Sequence, residues 1–573
     1  MKATYRTLLT EAGEQGKYKD GWKWYPRPQM KRDGYLILSE GWTLDGAPIH
    51  MPFVPQSVMS GYSGEVGERM IYQTTFRIPD TFDKERILLH FGGVDQIAET
   101  WINGRFIGRH VDGYTAFTFD VTDKIKRDGE NVLEVRVTDI LSKEFPYGKQ
   151  RKKRGGMWYT PMSGIWQNVW LENVSANYVE GIKLKPDLEG VHITLERIGC
   201  VEATVCGFRA IVTLHNGETY EQTFESCEEY LKLTDYVCAD GSAYQPRLWT
   251  PENPYLYSMK IVTDMDEVET YFALRTIDIR NVEGVNRICL NGEPIFWHGV
   301  LDQGYFSDGI YLPAEPEEYE RDILRMKELG MNMLRKHIKV EPEAFYYYCD
   351  KHGMLVMQDM VNSGGYSFLR DTALPTLGMK RMKDTRKIGK RRKELFRKHV
   401  EQVISQLYSH PCIVAYTIFN EGWGQFDSDA MYDFVKKLDD SRLIDATSGW
   451  FWQKKSDFDS EHIYFKTRDL TVKERPLLVS ECGGYSRKIA EHCFNLKRSY
   501  GYGSAGDEKA LTDMITDMYR KMILPGIPKG VCGCVYTQLS DVEDEVNGLY
   551  TYDRKVCKVD KEAMKKMAEE LKI

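Results

Sequence analysis

The chain has 573 residues, 42% of them apolar, so length and composition call for several domains with well-filled cores. Its 77 basic and 85 acidic side chains leave a formal charge of −8, which argues against a dedicated nucleic-acid binder. The opening MKATYRTLLTEAGEQGKYKD has neither an apolar core nor a cleavage site, no stretch has the length and apolarity of a membrane span, and twelve cysteines are scattered without a zinc-type pair; the expectation is a cytoplasmic protein with reduced, buried thiols and no membrane partner.

Residues 1–174 read as an all-β domain. Short alternating runs (TTFRIP, RILLHFGG, ETWINGRFIG, FTFDVT, NVLEVRVTD) recur between turn signals, and Asn103-Gly104 is a hairpin signal. Strands at this spacing predict a sandwich or jelly roll. A basic loop, KQRKKR (149–154), follows; such runs are usually solvated. Residues 175–280 alternate again, as in HITLERI and FRAIVTL, and read as a second β-sandwich, a structural spacer or else a binding module.

From 281 to 573 strands alternate with helical patterns, the signature of a parallel βα architecture. The candidate strands are 294–300, 331–336, 354–360, 412–420, 443–449, 462–465, 476–481 and 532–538. Eight of them fit one (β/α)8 barrel. The third is followed by a long segment, 361–392, which in a barrel overhangs the catalytic mouth. Its basic half, KRMKDTRKIGKRRK, reads either as the solvated start of a helix or as an attractor for an anionic substrate.

Two carboxylates stand out. Glu421 follows the unbroken apolar run Ile413–Phe419, and Glu481 closes PLLVS. A carboxylate at the end of a buried strand is expensive unless it has work to do, and in a barrel those ends form one mouth. Two carboxylates facing one site are what glycosidic bond cleavage requires, one protonated to release the leaving oxygen and one ionised to attack. Other strand ends offer supporting groups. Arg335 is placed to hold Glu481 through a charge-assisted fork. His337 is a donor for a sugar hydroxyl, Asp302 a grip for a hydroxyl pair, and Trp423 and Tyr536 are aromatic walls. His462 and Tyr464 end the sixth strand two positions apart, and only one of them is expected to face the interior.

Several segments resemble glycoside hydrolase family 2, the family of β-galactosidases, β-glucuronidases and β-mannosidases. Tyr25–Trp42, Gly113–Asp123 and Ser163–Glu172 resemble its sugar-binding jelly roll, and Leu248–Ile261 its immunoglobulin-like domain. FNEGWGQF and LLVSECGGYS resemble the segments carrying its acid/base and its nucleophile. The resemblance implies Glu421 as general acid/base, Glu481 as nucleophile, retention of configuration, and Asn420 bonded to the sugar 2-hydroxyl. The family motif has one more residue between its Arg and His, which puts the register of His337 in question, and relatives more often carry Trp in the neighbourhood of Tyr536. It also favours a tyrosine at Tyr464 touching the nucleophile. One departure matters: β-glucuronidases carry an Asn-x-Lys that grips the uronate, whereas this chain reads Asn547-Gly548-Leu549. The expected activity is therefore β-galactosidase-like. A β-hexuronidase using Lys336, Lys339 or the basic loop as its cation is the alternative, and a non-catalytic carbohydrate-binding protein is the rival of another class. No GxGxxG, Walker or metal-ligand spacing is present, so no cofactor or metal is expected. The substrate expectation is a small glycoside, and a homo-oligomer stays open.

Overall fold

A computed structural model gives the fold and describes residues 5–199, 207–379, 384 and 388–573. The first sandwich packs a four-stranded sheet, ordered Tyr35–Ile37, Val169–Val174, Arg86–Phe91, Phe117–Asp120, on a six-stranded one that includes Arg69–Phe76, Asn131–Thr138, Ile97–Ile102 and Arg105–Val111. Arg69–Phe76 alternates exposed and buried at every step, the mark of a sheet with one face on the core and one in water. The second sandwich sets Tyr178–Pro186, Gly190–Ile198 and Glu228–Lys232 against four strands centred on Phe208–Thr213 and Tyr257–Val262.

The barrel strands are β1 (Trp297–Asp302), β2 (Met333–Lys336), β3 (Leu355–Asp359), β4 (Ile413–Asn420), β5 (Leu443–Ser448), β6 (Asp459–Ile463), β7 (Leu477–Cys482) and β8 (Val531–Tyr536). They form one parallel sheet ordered β5-β4-β3-β2-β1-β8-β7-β6. The two end strands meet through side chains: Ser460 on β6 donates to the Asp445 carboxylate on β5 at 3.0 Å. Apart from β6, every barrel strand is buried along its whole length, which is why the strands appear as continuous apolar runs.

Two boundaries differ from expectation. β1 begins at Trp297 because Glu293–Pro294 folds back antiparallel onto Cys289–Leu290 after the Asn291-Gly292 turn. β6 runs ahead of the expected 462–465, with a register shift between Ser460 and His462. The long segment after β3 is strapped to its neighbours. Tyr147 of the first sandwich donates to the carbonyls of Asn362 and Gly364, and the Trp450 indole donates to the Asp371 carbonyl. Lys390 opens a helix, Lys390–Leu407; residues 380–383 and 385–387 of the basic half lie outside the described residues. The ten described cysteines are free, and no described helix is long and apolar enough to cross a membrane.

Candidate active site

The site lies at the C-terminal ends of the barrel strands. On β4, Phe419 stacks on Phe396 of the covering helix, so Asn420 turns inward. Glu421 follows in the left-handed region, φ +51°, its amide held by the Ser448 carbonyl at 3.0 Å. A glutamate with that backbone is strained by ~1–3 kcal/mol, and the strain aims its carboxylate across the mouth. One oxygen of Glu421, one of Glu481 and one ring nitrogen of His462 all lie within 4.8 Å of one another. Both glutamates are buried, 7% and 5% exposed.

Arg335, at the end of β2, is fully buried and organises the floor. Its fork closes on Asp359 at 3.1 and 3.0 Å. The remaining donors reach Glu481 Oε1 at 3.1 Å, the Ser480 carbonyl at 3.1 Å and Asn420 Oδ1 at 2.8 Å. The fork expected on Glu481 is therefore spent on Asp359, the carboxylate that ends β3, and Glu481 takes a single N–H. Asn420 keeps its amide nitrogen unbonded among the described residues. His337 engages Asp359 through Nδ1 at 2.9 Å, leaving Nε2 for a ligand. Burial lowers His337 to about 4, so its imidazole is neutral at neutral pH.

His462 and Tyr464 both reach the carboxylates, against the expectation that one would turn away. His462 Nδ1 lies 2.9 Å from Glu421 Oε1, and Tyr464 donates to Glu481 Oε2 at 2.7 Å and to Glu421 Oε1 at 3.3 Å. Residues two apart on a strand share a face, so His462 and Tyr464 reach the mouth together, Tyr464 from just past the end of β6 at Ile463. Tyr464 is braced by stacking on Tyr502 at 4.2 Å. Burial pushes the Glu481 carboxyl up, but His462, His337 and Arg335 outweigh it and hold the group well below the usual carboxylate range.

Two expected residues do not join the site. Asp302 pairs in register with Lys336, so both leave by the face opposite Arg335. There Lys336 bridges Asp302 at 2.5 Å and Glu341 at 2.8 Å. Lys339 bonds Glu341 and the carbonyls of Gly304 and Tyr311. Neither lysine is free to meet an anion. Tyr536 pairs with Cys482 across β7 and β8 and shares its outward face, its ring packed over Gly483 and its hydroxyl beside Tyr485. Alternation passes the inward position to Thr537.

Trp423 does form a wall. It stacks on Trp158 of the first sandwich, centroids 5.5 Å apart, and meets Tyr366 edge-on at 5.1 Å. The same sandwich supplies Lys149, whose Nζ stands 5.4 Å over the Trp423 ring. Lys149 is 7% exposed, its ammonium has no ion pair or hydrogen bond among the described residues, and its field reaches Glu481, His337 and Glu545. As a metal set, Glu421, His462 and Glu481 are poorly placed: the Arg335 guanidinium and the Tyr464 hydroxyl already occupy Glu481.

Three family models match the chain in order: the glycosyl hydrolase 2 galactose-binding domain-like model over 60–171, the glycosyl hydrolases family 2 model over 184–275, and the family 2 TIM barrel domain over 281–475. The chain belongs to glycoside hydrolase family 2. It is 25% identical over 411 residues to a β-galactosidase of Thermoanaerobacter pseudethanolicus, 69% of this chain and 51% of that one. It is also 25% identical over 395 residues to a β-glucuronidase of Bacteroides fragilis, 61% of this chain and 49% of that one. The chain thus spans about half the length of these curated relatives. Its fold superposes on the β-D-glucuronidase of Dictyoglomus thermophilum with TM-score 0.73 at 16% identity, covering 95% of this chain and 98% of the other. The Ruminococcus gnavus β-glucuronidase with D-glucuronic acid gives 0.72 at 17%, covering 94% and 99%.

Within this family 2 chain, sequence reasoning missed Asp359 and Trp158, and it reached Lys149 only as one member of the basic loop 149–154. Asp359 carried the same signal as the two glutamates, a carboxylate ending an apolar strand run. Trp158 gave none, and nothing in the loop set Lys149 apart from its neighbours, since both reach the barrel mouth from a different domain.

Proposed function

We propose that this chain is a retaining exo-β-glycosidase acting on terminal β-linked hexosyl residues, in the cytoplasm. The observation that carries this reading is the approach of the Glu421 and Glu481 oxygens to within 4.8 Å. Retaining enzymes need carboxyl groups about 5–5.5 Å apart, whereas inverting ones leave about 6.5–9.5 Å for a water. Glu481, kept ionised by its neighbours, attacks the anomeric carbon. Glu421 protonates the leaving oxygen and then removes a proton from the water that resolves the glycosyl-enzyme. Asn420 Nδ2 binds the 2-hydroxyl, and His337 Nε2 takes a second hydroxyl.

For the sugar, the first reading is a β-galactoside: Leu549 stands where a uronate-gripping lysine would be, and Lys336 and Lys339 are fully paired. Lys149 favours a second reading, a β-hexuronide, because an unpaired buried cation beside the nucleophile is costly until an anion meets it. A panel of nitrophenyl β-galactoside, β-glucuronide and β-galacturonide decides between them. Glu481→Gln is expected to lower kcat more than about 100-fold on the preferred sugar, and Glu421→Gln about 100-fold or more. Near-full activity in either variant refutes its role. Turnover of a uronide that collapses in Lys149→Met while the galactoside rate persists selects the second reading.

A further inference from the structure

A surface cavity opens beside the Trp423 wall. Trp158 and Tyr366, the two rings that hold Trp423, also line this cavity, and four cations complete it: Lys143, Arg151, Lys152 and Lys153. No carboxylate is among its lining residues. Lys152 is paired with Glu68 at 2.7 Å. Lys143, Arg151 and Lys153 have no carboxylate partner among the described residues, and the Arg151 guanidinium lies 4.7 Å over the Trp158 ring. In a chain of net charge −8, so one-sided a lining is not the local average.

The cavity's position relative to the carboxylates matters most. Trp423 is two residues from Glu421, and the Tyr366 phenol feels the Glu421 charge. Glu421 is the group that hands a proton to the departing oxygen, so its flank is where the leaving group stands. Aromatic faces suit the plane of a second sugar ring, and the cations around them suit a negative substituent on it.

We infer that this cavity is the leaving-group subsite and that it prefers an anionic sugar, one bearing a carboxylate or a sulfate ester, attached to the residue being removed. The inference rests on the glycosidase reading and adds to it the class of the aglycone, whichever terminal sugar is cleaved. The basic loop 149–154 then has two tasks, Lys149 inside the mouth and Arg151 to Lys153 outside it.

The test uses one terminal sugar on different aglycones. kcat/KM is measured for 4-methylumbelliferyl, 3-carboxyumbelliferyl and sulfonated umbelliferyl glycosides in the full chain and in the triple variant Lys143→Gln/Arg151→Gln/Lys153→Gln. The expected result is a charged-over-neutral ratio that falls about tenfold in the variant and shrinks as salt rises from low to high ionic strength. The carboxylated and sulfonated arms distinguish the two anions. An unchanged, salt-insensitive ratio overturns the subsite. Binding of free 7-hydroxycoumarin-3-carboxylate against neutral 4-methylumbelliferone, titrated to the Glu481→Gln protein, reads the same preference without turnover; equal affinities also overturn it. Absence of hydrolysis on every aglycone would instead count against the glycosidase reading, with the binding titration still deciding the subsite.

Discussion

At the residue scale the site depends on Arg335. Its one guanidinium touches Asp359, Asn420, Glu481 and a β7 carbonyl with no exposure to water. Replacing it with Met strands two buried carboxylates, and breaking such a pair costs about 3–5 kcal/mol; a urea midpoint for Arg335→Met equal to that of the native chain would refute this role. The pH profile gives a finer readout. Burial acts to raise Glu481, and its charged neighbours more than reverse this. Because His337 is neutral above about 4, it does not supply this charge at neutral pH; Arg335 touches Glu481 directly and Lys149 adds its field. A depressed carboxyl stays ionised as pH falls past the ordinary 4.5, so the acid limb of kcat/KM lies below that value. Arg335→Lys, which keeps a charge but not the planar fork, is expected to move the limb upward; a limb already at 4.5 or above in the native chain contradicts the assignment. Glu421, Glu481 and Asn420 were legible because each closes a long apolar run, whereas Tyr536 and Asp302 were misplaced because a strand's facing depends on register with its neighbour, which one chain's pattern does not contain.

At the element scale the legible part is the set of eight buried runs, and the illegible part is where they bend. β6 is the clearest case, since it starts ahead of the expected stretch, at Asp459, and shifts register between Ser460 and His462. Room for the imidazole comes from the turn after β5. Gly449 has φ +89°, and a Cβ there would meet His462 Nδ1 at 2.8 Å. Gly449→Ala is therefore expected to push His462 off Glu421, lowering kcat about tenfold or more while costing about 1–3 kcal/mol of stability. Steady-state kinetics beside thermal unfolding separate the two effects; native kcat in Gly449→Ala would show that His462 placement does not limit the chemistry.

At the scale of the whole molecule, the first sandwich is part of the barrel mouth, and a buried junction helps to fix it there beside the Tyr114–Tyr311 and Tyr159–Glu545 bonds. The Val361 amide, in the segment after β3, donates to His399 Nε2 at 3.2 Å. The His399 proton is therefore on Nδ1, which lies 2.7 Å from the carboxylate of Asp112 in the sandwich. Sandwich, covering helix and mouth segment thus share one imidazole, which a domain-by-domain reading of the sequence could not have joined. Burial works to raise Asp112, but His399 and the Tyr114 amide outweigh it and leave the carboxyl below its ordinary 3.8. A depressed carboxyl contributes its stability in full above the unfolded value and loses it as pH falls through the folded one. Asp112→Asn is accordingly expected to cost about 1.5–3 kcal/mol at pH 7, with the gap to the native chain closing below pH 3.8. Because the junction joins the barrel to the sandwich that carries Trp158 and Lys149, kcat/KM is expected to fall with it. Urea unfolding at pH 7 and pH 3, run beside kinetics at pH 7, tests both consequences: a stability gap that persists unchanged at pH 3 would mean that the carboxylate charge is not what holds the domains together.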